Sequence, residues 1–197
     1  VPFDVWQYVV AKVREPYPDT VFLLEGLGGK ISTTRRLLHE ANLNWAYSEL
    51  FQQYDAGQIE HYLPATMRTS RADGTMVHFA ETHDNDRLAS VSTAYARMRT
   101  ILAAMCSDTG AFGIANGVEW FCRHKIDVHG AAPLNWNGEP NQVESIARLN
   151  TLSARHPAFA PGTALRLVHR ERDNTLALLR EPAAVPAGFR LRVNDNL

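Results

Sequence analysis

Two short stretches hold the side chains most able to do chemistry. An apolar run, TVFLLEGL over residues 20–27, carries Glu25 near its end. A second, VHFAETHDNDRLAS over residues 77–90, starts apolar and then crowds together Glu81, His83, Asp84, Asp86 and Arg87. An α/β scaffold delivers its reactive groups at the C-terminal ends of its strands, and both stretches have that form. If the two strands run parallel, both ends open on one face. Paired carboxylates at a shared cleft suit cleavage of a glycosidic bond. One carboxyl, kept protonated, gives its proton to the leaving oxygen, and another carboxylate attacks or stabilises the oxocarbenium-like centre. The apolar neighbours Leu23, Leu24 and Leu27 predict a buried carboxyl for Glu25. Structural readings stand beside these. Glu25 could be a solvated or capping carboxylate, and His83-Asp84 a cap for the next helix. Arg87 fits a structural ion pair with Glu81 or Asp84.

Positioning such groups takes regular elements. Apolar spacing predicts helices over residues 3–14, 31–41, 58–68, 91–106 and 141–155, with Pro64 a blemish on the third. Strands are expected over residues 20–27, 45–51 and 75–82, and in AFGIANGV at residues 111–118. Strands alternating with helices through about residue 155 argue for parallel βαβ units. The tail differs in character. ALRLVHR and TLALLRE flank Asp173-Asn174, a hairpin signal, and GFRLRVNDNL reads as one more strand. Four α/β strands make half of an eight-stranded barrel or a small open sheet.

Composition is that of an ordinary globular chain. Of 197 residues, 45% are hydrophobic and 21% charged, enough to bury a substantial core. A net charge of −1 gives no electrostatic reason to expect nucleic acid or an anionic membrane as partner. No apolar run approaches a membrane span. Cys106 and Cys122 sit in apolar surroundings and read as buried free thiols, which leans towards a cytoplasmic address. No His/Cys/Asp cluster has metal spacing, and no glycine-rich phosphate loop or Ser-His-Asp set is present, so neither metal nor cofactor is expected. The opening VPFDVWQYVV starts as though already inside a helix, which suggests a piece of a longer protein.

On FLLEG and FAETHDN, in that order with one α/β/α unit between them, the chain resembles the α-amylase family of retaining glycoside hydrolases and transglycosylases. FLLEG is similar to the family's fifth barrel strand, FAETHDN to its seventh, and AFGIANGVEWF to its eighth with the loop that follows. The resemblance implies a partial (β/α)8 TIM-type barrel, about strands 5 to 8, over residues 1–160. The start of an antiparallel β domain would follow over residues 161–197. It also implies that Glu25 is the acid/base, that Asp84 holds the hydroxyls of the flattening ring, and that His83 orients the same ring. Two departures stand out. Glu81-Thr82 precede the His-Asp pair where the family has Asn. The nucleophilic Asp of the family's fourth strand lies in an Arg-x-Asp stretch, and none stands ahead of Glu25.

The implied function is that of an α-glucan-active hydrolase whose isolated fragment is inactive. Its partners would be a maltooligosaccharide and the missing barrel half, or a second copy. GVEWFCRHKIDVHG resembles a branch of maltosyltransferases that use maltose 1-phosphate, an alternative activity. A non-catalytic glucan-binding relative is another. Lys125, His124 and Arg123 could reach an anionic or hydroxylated ligand, or could be solvated loop charges. Trp136, in an Asn-rich loop, could stack on a pyranose, whereas Trp45 reads as core. The family's Ca²⁺ segments lie mostly upstream, so the resemblance adds no metal.

Overall fold

The computed structural model describes residues 2–109, 111–127, 129–130, 133–171, 175–182 and 191–196. Helix α1 (Phe3–Arg14) leads to strand β1 (Leu23–Leu24), then α2 (Ile31–His39), β2 (Trp45–Tyr47) and α3 (Ala56–Ala72). Strand β3 (Thr75–Phe79), helices α4 (Leu88–Val91) and α5 (Thr93–Cys106), β4 (Phe112–Gly113) and α6 (Val143–Arg155) follow. Strands β5 (Ala164–Glu171), β6 (Thr175–Glu181) and β7 (Leu191–Asn196) close the chain.

Strands β1 to β4 form one parallel sheet in sequential order, with Leu23 beside Trp45, Trp45 beside Thr75, and His78 beside Phe112. Sequential order without reversal is the wall of a barrel, and it differs from a doubly wound sheet, whose order switches. Strands β5 to β7 form a separate antiparallel sheet, with a register shift between Leu167 and His169. The fold is therefore α/β with a parallel sheet followed by an antiparallel one, as the alternation of patterns predicts. The Asp173-Asn174 turn lies outside the described residues, as do residues 188–190 and 197 of the expected last strand.

Several elements are shorter or broken relative to expectation, for local chemical reasons. The strand expected over residues 45–51 stops at Tyr47. There Ser48 Oγ accepts from Leu50 N at 3.3 Å and starts a 3-10 turn over Glu49–Gln52. Buried Arg99 of α5 clamps that turn by donating to the carbonyls of Gln53 (2.6 Å), Leu50 (3.0 Å) and Phe51 (3.4 Å). The helix expected over residues 91–106 divides at Ser92, whose hydroxyl caps α5 by accepting from Tyr95 N at 3.0 Å. Helix α3 begins earlier than expected because Asp55 and Gln58 form a reciprocal capping box, and it runs on through Pro64. Strand β4 is two residues long. A Cβ at Gly113 would meet Phe79 Cε1 at 2.3 Å, so only glycine lets β4 lie against β3 there.

Leu37, Leu38, Leu43, Ala46 and Met76 form one core between the first helices and the sheet. A larger one joins Ile59 and Leu63 of α3, Leu102 and Met105 of α5 and Leu149 of α6 to Leu165, Leu176 and Leu178 of the antiparallel sheet. Each fully buried leucine contributes roughly 2 kcal/mol. The two sheets thus share apolar packing, and Arg180 of β6 is set into it. Its guanidinium donates to the carbonyls of Ala158 (3.2 Å) and Met105 (2.9 Å) and to that of Ser107, and lies 4.0 Å from the Phe159 ring centre. Burial lowers its pKa to about 10, so it stays charged at neutral pH. Cys106 and Cys122 are buried and form no disulfide, as expected. Among the described residues no helix is long and apolar enough to cross a membrane.

Candidate functional site

Strands β1 and β3 run parallel with β2 between them, so Glu25 and the His83-Asp84 pair emerge from the same end of the sheet. One ligand atom from each of Glu25, His83 and Asp84 lies within 4.8 Å of the other two. His83 Nε2 stands 3.4 Å from Asp84 Oδ1. Glu25 and Asp84 are exposed and His83 is half-buried. The exposure of Glu25 corrects the expectation of a buried carboxyl. β1 is the first strand of the sheet, Leu23 beside it is 46% exposed, and only β2 flanks it among the described residues.

The loop after β3 is built by its own side chains. Thr82 donates from both its amide (3.1 Å) and its hydroxyl (2.7 Å) to Asn85 Oδ1, and Asn85 N returns to the Thr82 carbonyl at 3.3 Å. This closed turn presents His83 and Asp84 at its tip. Glu81 turns inward. Its Oε1 lies 2.8 Å from Arg87 Nε, and its Oε2 accepts from Leu88 N at 2.7 Å. Burial pushes the Glu81 carboxyl up, opposed by the Arg87 charge and by that Leu88 amide. Arg87 Nη2 donates to the Asn116 carbonyl at 2.9 Å and fastens the loop to the segment after β4. The Glu81-Thr82 departure is thus structural: one residue anchors the loop and the other shapes it.

Asp84, Arg87 and Lys125 share the wall of an open cleft of about 650 Å³, together with Phe51, Tyr54 and Tyr95. Lys125 therefore faces the cleft that Asp84 faces. Trp136 does not line that cleft. It is 61% exposed and rests on Trp120 elsewhere on the loop after β4, ring centres 4.5 Å apart. Trp45 departs from the core reading and is 45% exposed. Tyr47 tilts against Phe79 at 4.7 Å, and burial, then the nearby Glu25 carboxylate, raise its phenol.

One carboxylate at this end of the sheet escaped the sequence reading. Glu49 follows β2 as Glu25 follows β1, and its Oε1 accepts from Gly28 N at 2.5 Å, tying down the turn that carries Glu25. An acid just past a strand end was the available signal. Behind it, Tyr62 Oη accepts from Glu49 N at 2.7 Å and sits 3.1 Å from Ser48 Oγ, which lies 2.8 Å from Nδ1 of buried His78.

Glu25, His83 and Asp84 also form a possible donor set for a divalent ion, one the linear spacing did not disclose. Their side chains are open to solvent, and exposed acidic groups occur widely without an ion.

No family model matches the chain. Over 188 residues it is 26% identical to an α-1,4-glucan:maltose-1-phosphate maltosyltransferase of Rhodospirillum rubrum, covering 89% of this chain and 27% of that protein. A maltosyltransferase of the same description from Methylacidiphilum infernorum is 23% identical, covering 91% of this chain and 28% of its own length. The chain thus spans little more than a quarter of these relatives. In fold it is similar to an α-amylase of Lactobacillus plantarum (TM-score 0.66, 20% identity, 93% of this chain and 47% of that one). It is similar also to a maltogenic α-amylase of Thermotoga neapolitana (TM-score 0.70, 16% identity, 92% and 43%). The fold is that of part of an α-amylase barrel with an adjoining antiparallel sheet. In sequence and fold the chain resembles the α-amylase family over part of that family's length, and maltosyltransferases are among its relatives.

Proposed function

We propose that this chain is the acid/base-bearing part of an enzyme that acts on α-glucosidic bonds with retention at the anomeric carbon. The observation that carries the reading is the convergence of Glu25, His83 and Asp84 within 4.8 Å at one end of the parallel sheet. The Glu25 carboxyl donates its proton to the glycosidic oxygen as the C–O bond breaks. An Asp supplied from outside these 197 residues attacks the anomeric carbon and forms the glycosyl-enzyme. Asp84 holds the ring hydroxyls as the ring flattens, and His83 orients them. The Glu25 carboxylate then takes a proton from the incoming water or sugar hydroxyl, whose oxygen displaces the enzyme carboxylate. The cytoplasmic address stays with this reading, supported by two buried cysteines that form no disulfide.

A second reading, maltosyl transfer from maltose 1-phosphate to a glucan, is supported by the description of the curated relatives. Lys125, beside Asp84 on the cleft, supplies positive charge suited to a phosphate-bearing donor. The test compares a chain extended through the upstream barrel half, with and without Glu25→Gln, on maltoheptaose alone and with maltose 1-phosphate. Glu25-dependent release of reducing ends from maltoheptaose alone marks hydrolysis. Glu25-dependent elongation only with the phosphorylated donor, releasing phosphate, marks transfer. Turnover unchanged by Glu25→Gln refutes both, and glucan binding without turnover in either chain points to a non-catalytic binder.

A further inference from the structure

Residues of the loop after β4 line two clefts. Lys125 lines the Asp84 cleft, whereas its neighbours Arg123 and His124 line a separate cleft of about 370 Å³, together with Phe121, Asn135 and Glu139. Beside that second cleft stand Trp120 and Trp136, with Asn135 common to both features. Its side chain lines the cleft, and its Nδ2 donates to the Trp120 carbonyl at 2.6 Å.

An exposed indole on a loop ordinarily folds down onto apolar surface. Here Trp136 rests on the Trp120 ring yet stays 61% exposed, on a turn with left-handed residues on either side. Asn135 and Asn137, on either side of it, both adopt φ of 56°, a left-handed conformation that costs free energy and that Asn tolerates better than most residues. The Gly138 amide donates to the Asn135 carbonyl at 2.9 Å. A Cβ on Gly138 would meet Asn135 Nδ2 at 2.3 Å, so glycine is required for the Asn135 bond to Trp120. Asn141 braces the far side by donating to the Gly138 carbonyl (3.3 Å) and to Glu139 Oε1 (2.8 Å). Strain is spent on presenting one flat aromatic face, 61% exposed, on a half-buried second ring.

We propose that this turn is a second sugar-binding surface, distinct from the carboxylate cleft. It would take a neutral α-glucan chain with a pyranose face stacked on Trp136 and neighbouring hydroxyls bonded in the adjoining cleft. The cleft mixes donors and acceptors, since Arg123 and His124 face it together with the Asn135 amide and the Glu139 carboxylate. A polyol uses both kinds of group. The proposal rests on the glucan reading above and adds where such a chain would be gripped away from the reacting bond.

The test is titration of the full 197-residue chain with maltoheptaose, followed by the ¹⁵N resonances of its four indoles, Trp6, Trp45, Trp120 and Trp136. The expected result is a shift of the Trp120 and Trp136 signals that persists in Glu25→Gln and Asp84→Asn. Trp136→Ala should weaken the affinity roughly tenfold or more, and Trp136→Phe should restore part of it. Because Trp136 is exposed, these variants leave the core intact. Binding that survives Trp136→Ala, or an absence of any indole response, overturns the second surface. Binding abolished by Asp84→Asn but not by Trp136→Ala also overturns it, while leaving the glucan reading standing. That reading is judged separately, by turnover in the extended chain.

Discussion

Arg87 Nε lies 2.8 Å from Glu81 Oε1, with both side chains withdrawn from solvent beneath the loop that carries His83 and Asp84. A buried ion pair of this kind is costly to break on one side, because the remaining charge keeps its desolvation penalty and loses its partner. Glu81→Gln or Arg87→Met should therefore each destabilise the chain by about 3 to 5 kcal/mol. The double replacement Glu81→Leu with Arg87→Met should cost less than either single change. Urea unfolding of the three variants checks this; additive losses would show that the two residues do not act as a pair.

His78 gives the fold a pH dependence of definite sign. Burial, then the nearby Arg180 charge, hold its pKa at about 4, while a backbone hydrogen bond with Cys106 opposes the shift. The unfolded chain protonates this histidine near its ordinary value of about 6.5. The neutral ring's contribution is therefore complete above that value and declines as pH falls towards 4, by about 3 kcal/mol in all. Unfolding free energy measured from pH 7 to pH 4 should fall more steeply in the parent than in His78→Gln. Parallel curves would count against the assignment.

Glu25 and Asp84 stand open to water, and exposed side chains of this kind contribute little to stability. Glu25→Gln and Asp84→Asn should shift the unfolding free energy by no more than about 0.5 kcal/mol. Both should nonetheless remove turnover in the extended chain. A loss of several kcal/mol on either substitution would show that the residue is structural.

The bond from Gly28 N to Glu49 Oε1 restrains the turn that bears Glu25. Glu49→Ala should leave global stability within about 1.5 kcal/mol and speed hydrogen exchange at the Gly28 amide roughly tenfold. Unchanged exchange at Gly28 would mean that the turn is held by other contacts.

Strands β1 and β4 each flank a single neighbour among the described residues, and such edges invite pairing. The isolated chain should associate with itself, or bind a separately produced upstream barrel half. A stable monomer by light scattering that ignores that half would refute this.

Much of this protein was legible in the order of its residues. The helical spacing of Phe3 to Arg14, the alternation of apolar runs with helices, and the acids at two strand ends specified α/β units and which carboxylates to watch. These are local signals, since one period or one strand end is written in a dozen consecutive residues. Non-local contacts decided the rest. Whether Glu25 was buried depended on what lay beside β1, and Leu23 and Leu24 could not report that. An ion pair of Arg87 with Glu81 or Asp84 was legible in the sequence, but packing chose Glu81 and gave its second oxygen to Leu88 N. Trp136 could have faced any surface of the loop, and the left-handed turns at Asn135 and Asn137 chose one that the Asp84 cleft does not share. Side-chain chemistry is set by residue type, but burial, charge partners and convergence depend on segments far apart in sequence, and only packing brings those together.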